Sequence, residues 1–375
     1  MATDDNAADA RATPRGPGKI RTTGPGTPAA EERGRRAALQ GIDLDALGRQ
    51  IGALHLTHSD NRHDAGVIPV PVGVLSGGPG PTALLVAGTH GDEYEGQVVL
   101  HRLLREVDPA QVHGRIVVLP ALNLPAVRAA GRVSPLDGQN LNRVYPGTAR
   151  GGPTAQIAHA VVTELLPHAD LALDLHSGGS STHYVPSAFV YAGPDSRAWD
   201  AKRRMAEALG LAWSVVVPAR FEPGSFSTAA DDAGVPMIST ELAGGGEVNP
   251  EVVGDAVHGL RRVLAAAGIL DAPAGTPATA PTRWIDLLVD GAVHTPLRGL
   301  FEPVARLGEE VKAGELIGRV HPVEELDRSP APVLAHRDGI VAIARRPPLV
   351  DLGDTLYHLA ADTTPGTSGA SAPGR

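Results

Sequence analysis

Short apolar runs that stop at polar, glycine-punctuated turns constrain this chain more than any other feature. Residues 82–87 (T-A-L-L-V-A), 169–175 and 237–242 are each about as long as one buried strand. Between and around them, residues 95–107, 155–166, 199–209 and 250–267 carry apolar residues at helical spacing, as with Val98, Val99, Leu103 and Leu104. Residues 115–119 read as a further strand, and pieces at 51–56 and 68–75 precede the turn S-G-G-P-G-P. Buried strands alternating with helices predict an α/β layer whose mixed sheet is mostly parallel and flanked by helices. Such a sheet places its ligands outside the carboxyl ends of its strands.

The chain's 375 residues suffice for about two domains at roughly 100–200 residues each. Residues 1–36 lack any periodic apolar pattern and read as a disordered tail, followed by a catalytic domain over 37–270. The Ala/Pro-rich stretch 271–281 reads as a linker, 282–361 as a small β domain of short glycine-separated segments, and 362–375 as a second disordered tail. A net charge of −9 argues against a nucleic-acid or anionic-membrane partner, both of which favour a basic patch. With no cysteine in the chain, any metal must be held by His, Asp or Glu. Neither a signal peptide nor an apolar run of roughly 18 residues is present, so a cytoplasmic enzyme is the default expectation. A homo-oligomer is left open.

The chemistry sits where the apolar runs end. After residues 82–87 comes G-T-H-G-D-E-Y-E-G, which puts His90 and Glu93 three residues apart on one turn. An imidazole and a carboxylate aimed at one point are two-thirds of a catalytic zinc site, which keeps one position open for water. A third ligand is expected in the same kind of place, and His176 follows residues 169–175. Asp174, two residues earlier, shares its strand face and can orient a ligand from behind or serve as a buried structural acid. Glu241 ends the run at 237–242 before three glycines, where it can act as general base while the glycines let backbone approach a substrate. In L-D-G-Q-N-L-N-R-V-Y-P-G, Asn142 and Arg143 offer a grip for a substrate carboxylate.

The segments G-T-H-G-D-E-Y-E-G, N-L-N-R-V-Y-P-G, L-D-L-H-S-G-G and S-T-E-L-A-G-G-G together resemble the succinylglutamate desuccinylase/aspartoacylase family, relatives of the zinc carboxypeptidases. That resemblance implies a zinc-carboxypeptidase-like fold and one Zn2+ per subunit held by His90, Glu93 and His176. It also implies Glu241 as the catalytic carboxylate and Asn142 with Arg143 as the grip on the carboxylate of an N-acyl amino acid. The phrases P-A-L-N-L-P-A-V-R-A and S-P-L-D-G-Q-N-L-N-R are similar to the branch that deacetylates Nα-acetyl-L-2,4-diaminobutyrate in ectoine breakdown. Two departures stand out: the common D-L-N-R reads N-L-N-R here, with Asn140, and an upstream arginine has only Arg132, then Arg128, as candidates.

Residues 299–320 and H-R-D-G-I-V-A resemble a biotinyl/lipoyl barrel, yet the stretch between them, H-P-V-E-E-L-D-R, has no lysine, so a structural or gating module without a prosthetic group is expected. The cluster His55, His58 and His63 reads as solvated surface, while Tyr184, Phe226 and His183 are candidates for the pocket. Desuccinylation, carboxypeptidase action and metal-independent binding of an amino-acid derivative are the competing expectations.

Overall fold

The computed structural model describes residues 38–61, 64–192, 196–218, 223–272 and 280–365. All of the first tail, His63, the greater part of the expected linker and the last ten residues of the second tail lie outside them. Four parallel strands form the middle of one large sheet: Arg115–Leu119, Thr82–Ala87, Leu171–His176 and Met237–Glu241 lie side by side in that order. Residues 82–87 and 171–175 are almost wholly withdrawn from water, which is why they read as continuous apolar runs. The sheet is mixed, and its parallel pairing is confined to the interior. On one side the hairpin Gly48–His58/Gly66–Ser76 pairs antiparallel and joins Arg115–Leu119 antiparallel. On the other, Ser187–Tyr191 runs antiparallel to Met237–Glu241 before parallel pairing resumes with Trp213–Val217.

Alternation along the strands divides the core. Ala83, Leu85, Ala87, Leu171, Leu173, Leu175 and Ile238 face the helices Glu95–Glu106, Ser196–Leu209 and Pro250–Ala266. Leu84, Val86, Ala172 and Met237 face the other layer, with Ile157, Val161 and Phe226. Asp174, His176 and Glu241 continue this second face, each an even number of residues along its strand from Ala172 or Met237.

Several elements differ from the sequence reading. The polar excursion after Leu119 contains a short helix, Leu124–Arg128, and a 3-10 turn, Leu141–Arg143, capped by Asn140. The helix expected over 155–166 starts at Pro153, loosens into a π turn at Val161–Leu165 and closes in a 3-10 turn containing Pro167, which cannot donate to the ladder. Strands Thr182–Tyr184, Ser187–Tyr191 and Trp213–Val217 and the helix Phe226–Asp232 are additional to the elements expected from the sequence.

Residues beyond 281 are built into the same sheet. Arg283–His294 pairs in parallel with Trp213–Val217 and antiparallel with Thr355–Asp362, which includes the first residue of the expected tail. Gly339–Arg345 follows next in the sheet and also pairs with Thr182–Tyr184. A separate four-stranded sheet forms from Ala331–Leu334, Leu316–His321, Gly299–Pro303 and Leu349–Val350. No helix among the described residues is long and apolar enough to cross a membrane.

Candidate active site

The register of the parallel strands sets the site. Glu241 and His176 are direct partners across neighbouring strands, and Ala87 lies opposite Leu175, so all three strands end at one edge. In-register parallel neighbours project to the same face at a strand spacing of about 4.8 Å, which puts Glu241 beside His176 on the face that also carries Asp174. The turn after Ala87 brings the remaining groups: one ligand atom from each of His90, Glu93 and His176 lies within 4.8 Å of the others, and all three side chains are buried. Among the described residues this is the one such group that can hold a metal ion; His55 and His58 do not form another, and His58 lies 3.5 Å from Asp60.

Each acid of the turn has its own anchor. Asp92 accepts from the backbone N–H (2.9 Å) and hydroxyl (2.8 Å) of Ser180. Glu95 accepts from Gly244 N–H at 3.1 Å, and burial raises its pKa above the usual carboxyl value. Between them Glu93 faces two imidazoles, with Oε1 2.6 Å from His90 Nδ1 and Oε2 2.7 Å from His176 Nδ1. Ser177 N–H (3.3 Å) and Arg132 Nη1 (3.4 Å) also donate to this carboxylate.

The outer nitrogens of both rings are held as well. His176 Nε2 donates to Asp174 Oδ2 at 2.9 Å, and Thr89 Oγ1 fixes that acid by lying 3.1 Å from both its oxygens. His90 Nε2 donates to Asn140 Oδ1 at 3.1 Å. A neutral imidazole that donates through Nε2 presents a bare lone pair at Nδ1. Both Nδ1 lone pairs then point at a carboxylate, acceptor against acceptor, which requires a positive charge between them. Two imidazoles and a carboxylate are a donor set suited to a divalent transition metal such as zinc.

The electrostatics agree. Burial opposes ionisation of Glu93, but His176 and His90 outweigh it and hold the carboxyl far below its usual range. Burial likewise opposes protonation of His176, yet Asp174 and Glu93 raise it well above the ordinary imidazole value. In the metal-free protein the raised value of His176 favours a proton on that ring.

Glycines act here through close approach. A Cβ on Gly91 would stand 2.0 Å from Ala126 O and 2.4 Å from Val127 N, so the ligand turn lies directly against the helix Leu124–Arg128. This backbone contact, together with Gly91 N–H donating to Gly131 O, explains the glycine between His90 and Glu93; Gly91 does not adopt the left-handed conformation. The glycines after Glu241 meet protein and not the cavity: a Cβ on Gly244 (φ 125°) would strike Thr182 O at 2.5 Å and Gly178.

A cavity of about 330 Å³ opens over this group, and His90, Glu93, Asn142, His176, Glu241 and Arg132 line it. Arg143 is not in its wall; it is exposed, and its Nη1 donates to Asn142 O at 2.7 Å. Asn142 is held by Phe226 N–H, which donates to its Oδ1 at 2.9 Å. Of the pocket candidates, Tyr184 lines the cavity, Phe226 stacks on Tyr145 beneath it, and His183 lies outside the wall, 3.1 Å from Arg346. Sequence reasoning missed Phe189 and Tyr191, whose two-residue spacing in S-A-F-V-Y marks one strand face. It also missed Leu287, Leu288, Val289 and His358, which come from beyond residue 281; His358 Nε2 donates to Leu288 O at 2.9 Å.

The fold and the site define an α/β protein with a buried His–Glu–His group that could hold a metal ion. Residues 79–267 match the succinylglutamate desuccinylase/aspartoacylase catalytic domain, and the chain belongs to that family. It is 34% identical over 320 residues to the N-alpha-acetyl-L-2,4-diaminobutyric acid deacetylase of Halomonas elongata, covering 85% of this chain and 93% of the relative. A product-bound ectoine utilization protein from Ruegeria pomeroyi superposes with a TM-score of 0.82 at 36% identity, covering 87% of this chain and 99% of that one. A succinylglutamate desuccinylase/aspartoacylase from Rhodobacter sphaeroides does so at 0.80 and 36%, covering 88% and 100%.

Two outcomes follow from this geometry. Gly91→Val should lower the metal content of the purified protein well below one ion per chain while the far-ultraviolet circular dichroism stays native; full occupancy would refute the close-approach account. Metal uptake should displace the His176 proton, so affinity falls as pH drops through that raised value, and calorimetry should give a heat that varies with the buffer's ionisation enthalpy. The sign for the metal-stripped protein is set by the same groups. The stability His176 contributes is complete below its unfolded value of 6.5 and is lost as pH rises through the folded one, whereas that of Glu93 is present above 4.5 and lost in acid.

Proposed function

We propose that this chain hydrolyses the amide bond of an N-acyl amino acid, with Nα-acetyl-L-2,4-diaminobutyrate as substrate and diaminobutyrate and acetate as products. The observation that carries the reading is the buried convergence of His90, Glu93 and His176 in the same cavity as Glu241. A zinc ion held by His90, Glu93 and His176 would supply Lewis acidity at the acyl carbonyl and lower the pKa of water in the site.

The chain's own residues do the rest. Glu241, side by side with His176 at the strand ends, takes the proton of the attacking water and returns it to the leaving amine. Asp174 holds the His176 ring from behind. The substrate carboxylate is assigned to Asn142 and to two arginines, Arg132 in the wall and Arg143 next to Asn142 in sequence. Val216, Val217 and Leu287 present apolar surface to an acetyl group and the substrate's methylenes. A cavity of this size suits a small molecule. The activity for which the Halomonas relative is named supports the choice of acyl group and amino acid.

In this reading residues 37–270 are the catalytic domain. Residues 282–361, which resemble a biotinyl/lipoyl barrel, are a structural module that closes one wall through Leu287, Leu288, Val289 and His358. A cytoplasmic location fits an enzyme of small-molecule catabolism.

Turnover of Nα-acetyl-diaminobutyrate by the zinc-loaded protein, set against the Nγ-acetyl isomer, N-acetylaspartate and N-succinylglutamate, tests the proposal. Preference for a succinyl or aspartyl substrate would overturn the substrate. Glu241→Gln should keep its zinc and lose roughly 10²- to 10⁴-fold in kcat, the range for removing a general base. Near-normal turnover with zinc bound would remove Glu241 from the mechanism.

A further inference from the structure

The two imidazoles of the site are backed by different chemistry. His176 Nε2 meets the carboxylate of Asp174, which is 1% exposed, whereas His90 Nε2 meets the neutral amide of Asn140. Which atom of that amide faces the ring is settled by a second contact: Asn142 N–H donates to Asn140 Oδ1 at 2.9 Å. A backbone N–H can only donate, so this atom is the oxygen, and the same oxygen stands 3.1 Å from His90 Nε2. His90 must then carry its proton on Nε2 and leave Nδ1 bare toward Glu93.

We infer that Asn140 is a positioning residue that fixes the tautomer and orientation of His90 through a neutral acceptor, so that the two histidines serve the centre unequally. The inference rests on the metal reading above. A carboxylate behind a metal-bound histidine both orients the ring and raises its basicity; an amide oxygen orients it without adding charge. An acid at position 140 would add a further negative group to a site that already contains Glu93, Asp174 and Glu241. With the amide, Glu93 and Asp174 are the two carboxylates set against the imidazoles. Asn140 also joins two parts of the site: its one oxygen caps the turn Leu141–Arg143, which carries Asn142 into the cavity wall, and holds the ligand on the strand-end turn.

A bland alternative is that Asn140 only caps that turn. Asn140→Ser separates the two roles, because a serine hydroxyl can still cap a helical turn but is too short to reach the ring. Zinc affinity is read by competition with a chromophoric chelator, and thermal unfolding is followed on the zinc-free proteins. Asn140→Ser is expected to weaken zinc about 10- to 100-fold, the usual effect of losing such a partner, with zinc-free unfolding unchanged. Asn140→Asp, which keeps the acceptor, should bind zinc at least as tightly as the wild type. Wild-type affinity in Asn140→Ser, weakening in Asn140→Asp equal to that of the serine variant, or an affinity loss matched by lost zinc-free stability would each overturn the inference. Wild-type protein that takes up no zinc would instead remove the metal reading itself, and this inference with it.

Discussion

A buried carboxylate faced by two imidazoles, one on a turn and one at a strand end, is the interaction on which the rest of this structure depends. Glu93 is 3% exposed, and an isolated buried carboxylate would be strongly disfavoured. It persists because His90 and His176 approach its two oxygens at 2.6 and 2.7 Å and because Ser177 and Arg132 donate to it as well. Every neighbouring anchor keeps that arrangement in register. Asp92 ties the ligand turn to Ser180, Glu95 ties it to Gly244, and the closely packed backbones of Gly91 and Ala126 leave it no room to shift.

The parallel centre of the sheet is what makes such convergence available. Three neighbouring strands that end at one edge deliver His90 and Glu93, His176, and Glu241 from three parts of the chain, and alternation puts Asp174 behind His176 without a further device. The antiparallel strands on the far side have another use. They carry Phe189 and Tyr191 and then, through Arg283–His294 and Thr355–Asp362, bring residues from the last quarter of the chain over the same cavity. Thr182–Tyr184, which follows His176 by a short loop, pairs with Gly339–Arg345, so the segment after one ligand is held by residues more than 150 positions later.

Much of this was legible from the residues, for an identifiable reason. Thr82–Ala87 and Arg115–Leu119 are buried along nearly their whole length, so their burial is written as almost uninterrupted apolar sequence, and polar residues right after such runs stand out as site candidates. Ser187–Tyr191 and Trp213–Val217 escaped because both begin with a serine within their first two residues and lie in a region of polar turns. The role of the glycines was legible only in part. That Gly91 is needed could be read from its place between two ligands; that the reason is the backbone of Ala126 could not.

By itself the sequence marked the α/β pattern, the residues His90, Glu93, His176 and Glu241 that the fold brings together, and membership of a family, because each of these is written in a few contiguous residues at or near the end of a strand. Only the tertiary structure decided that Arg132 and not Arg143 stands in the cavity wall, that Asn140 backs His90, and that Leu288 and His358 close the far side. The physical reason is that ligand chemistry is local along the chain, whereas a wall is made by pairing and packing between segments far apart in sequence, whose register no single segment encodes.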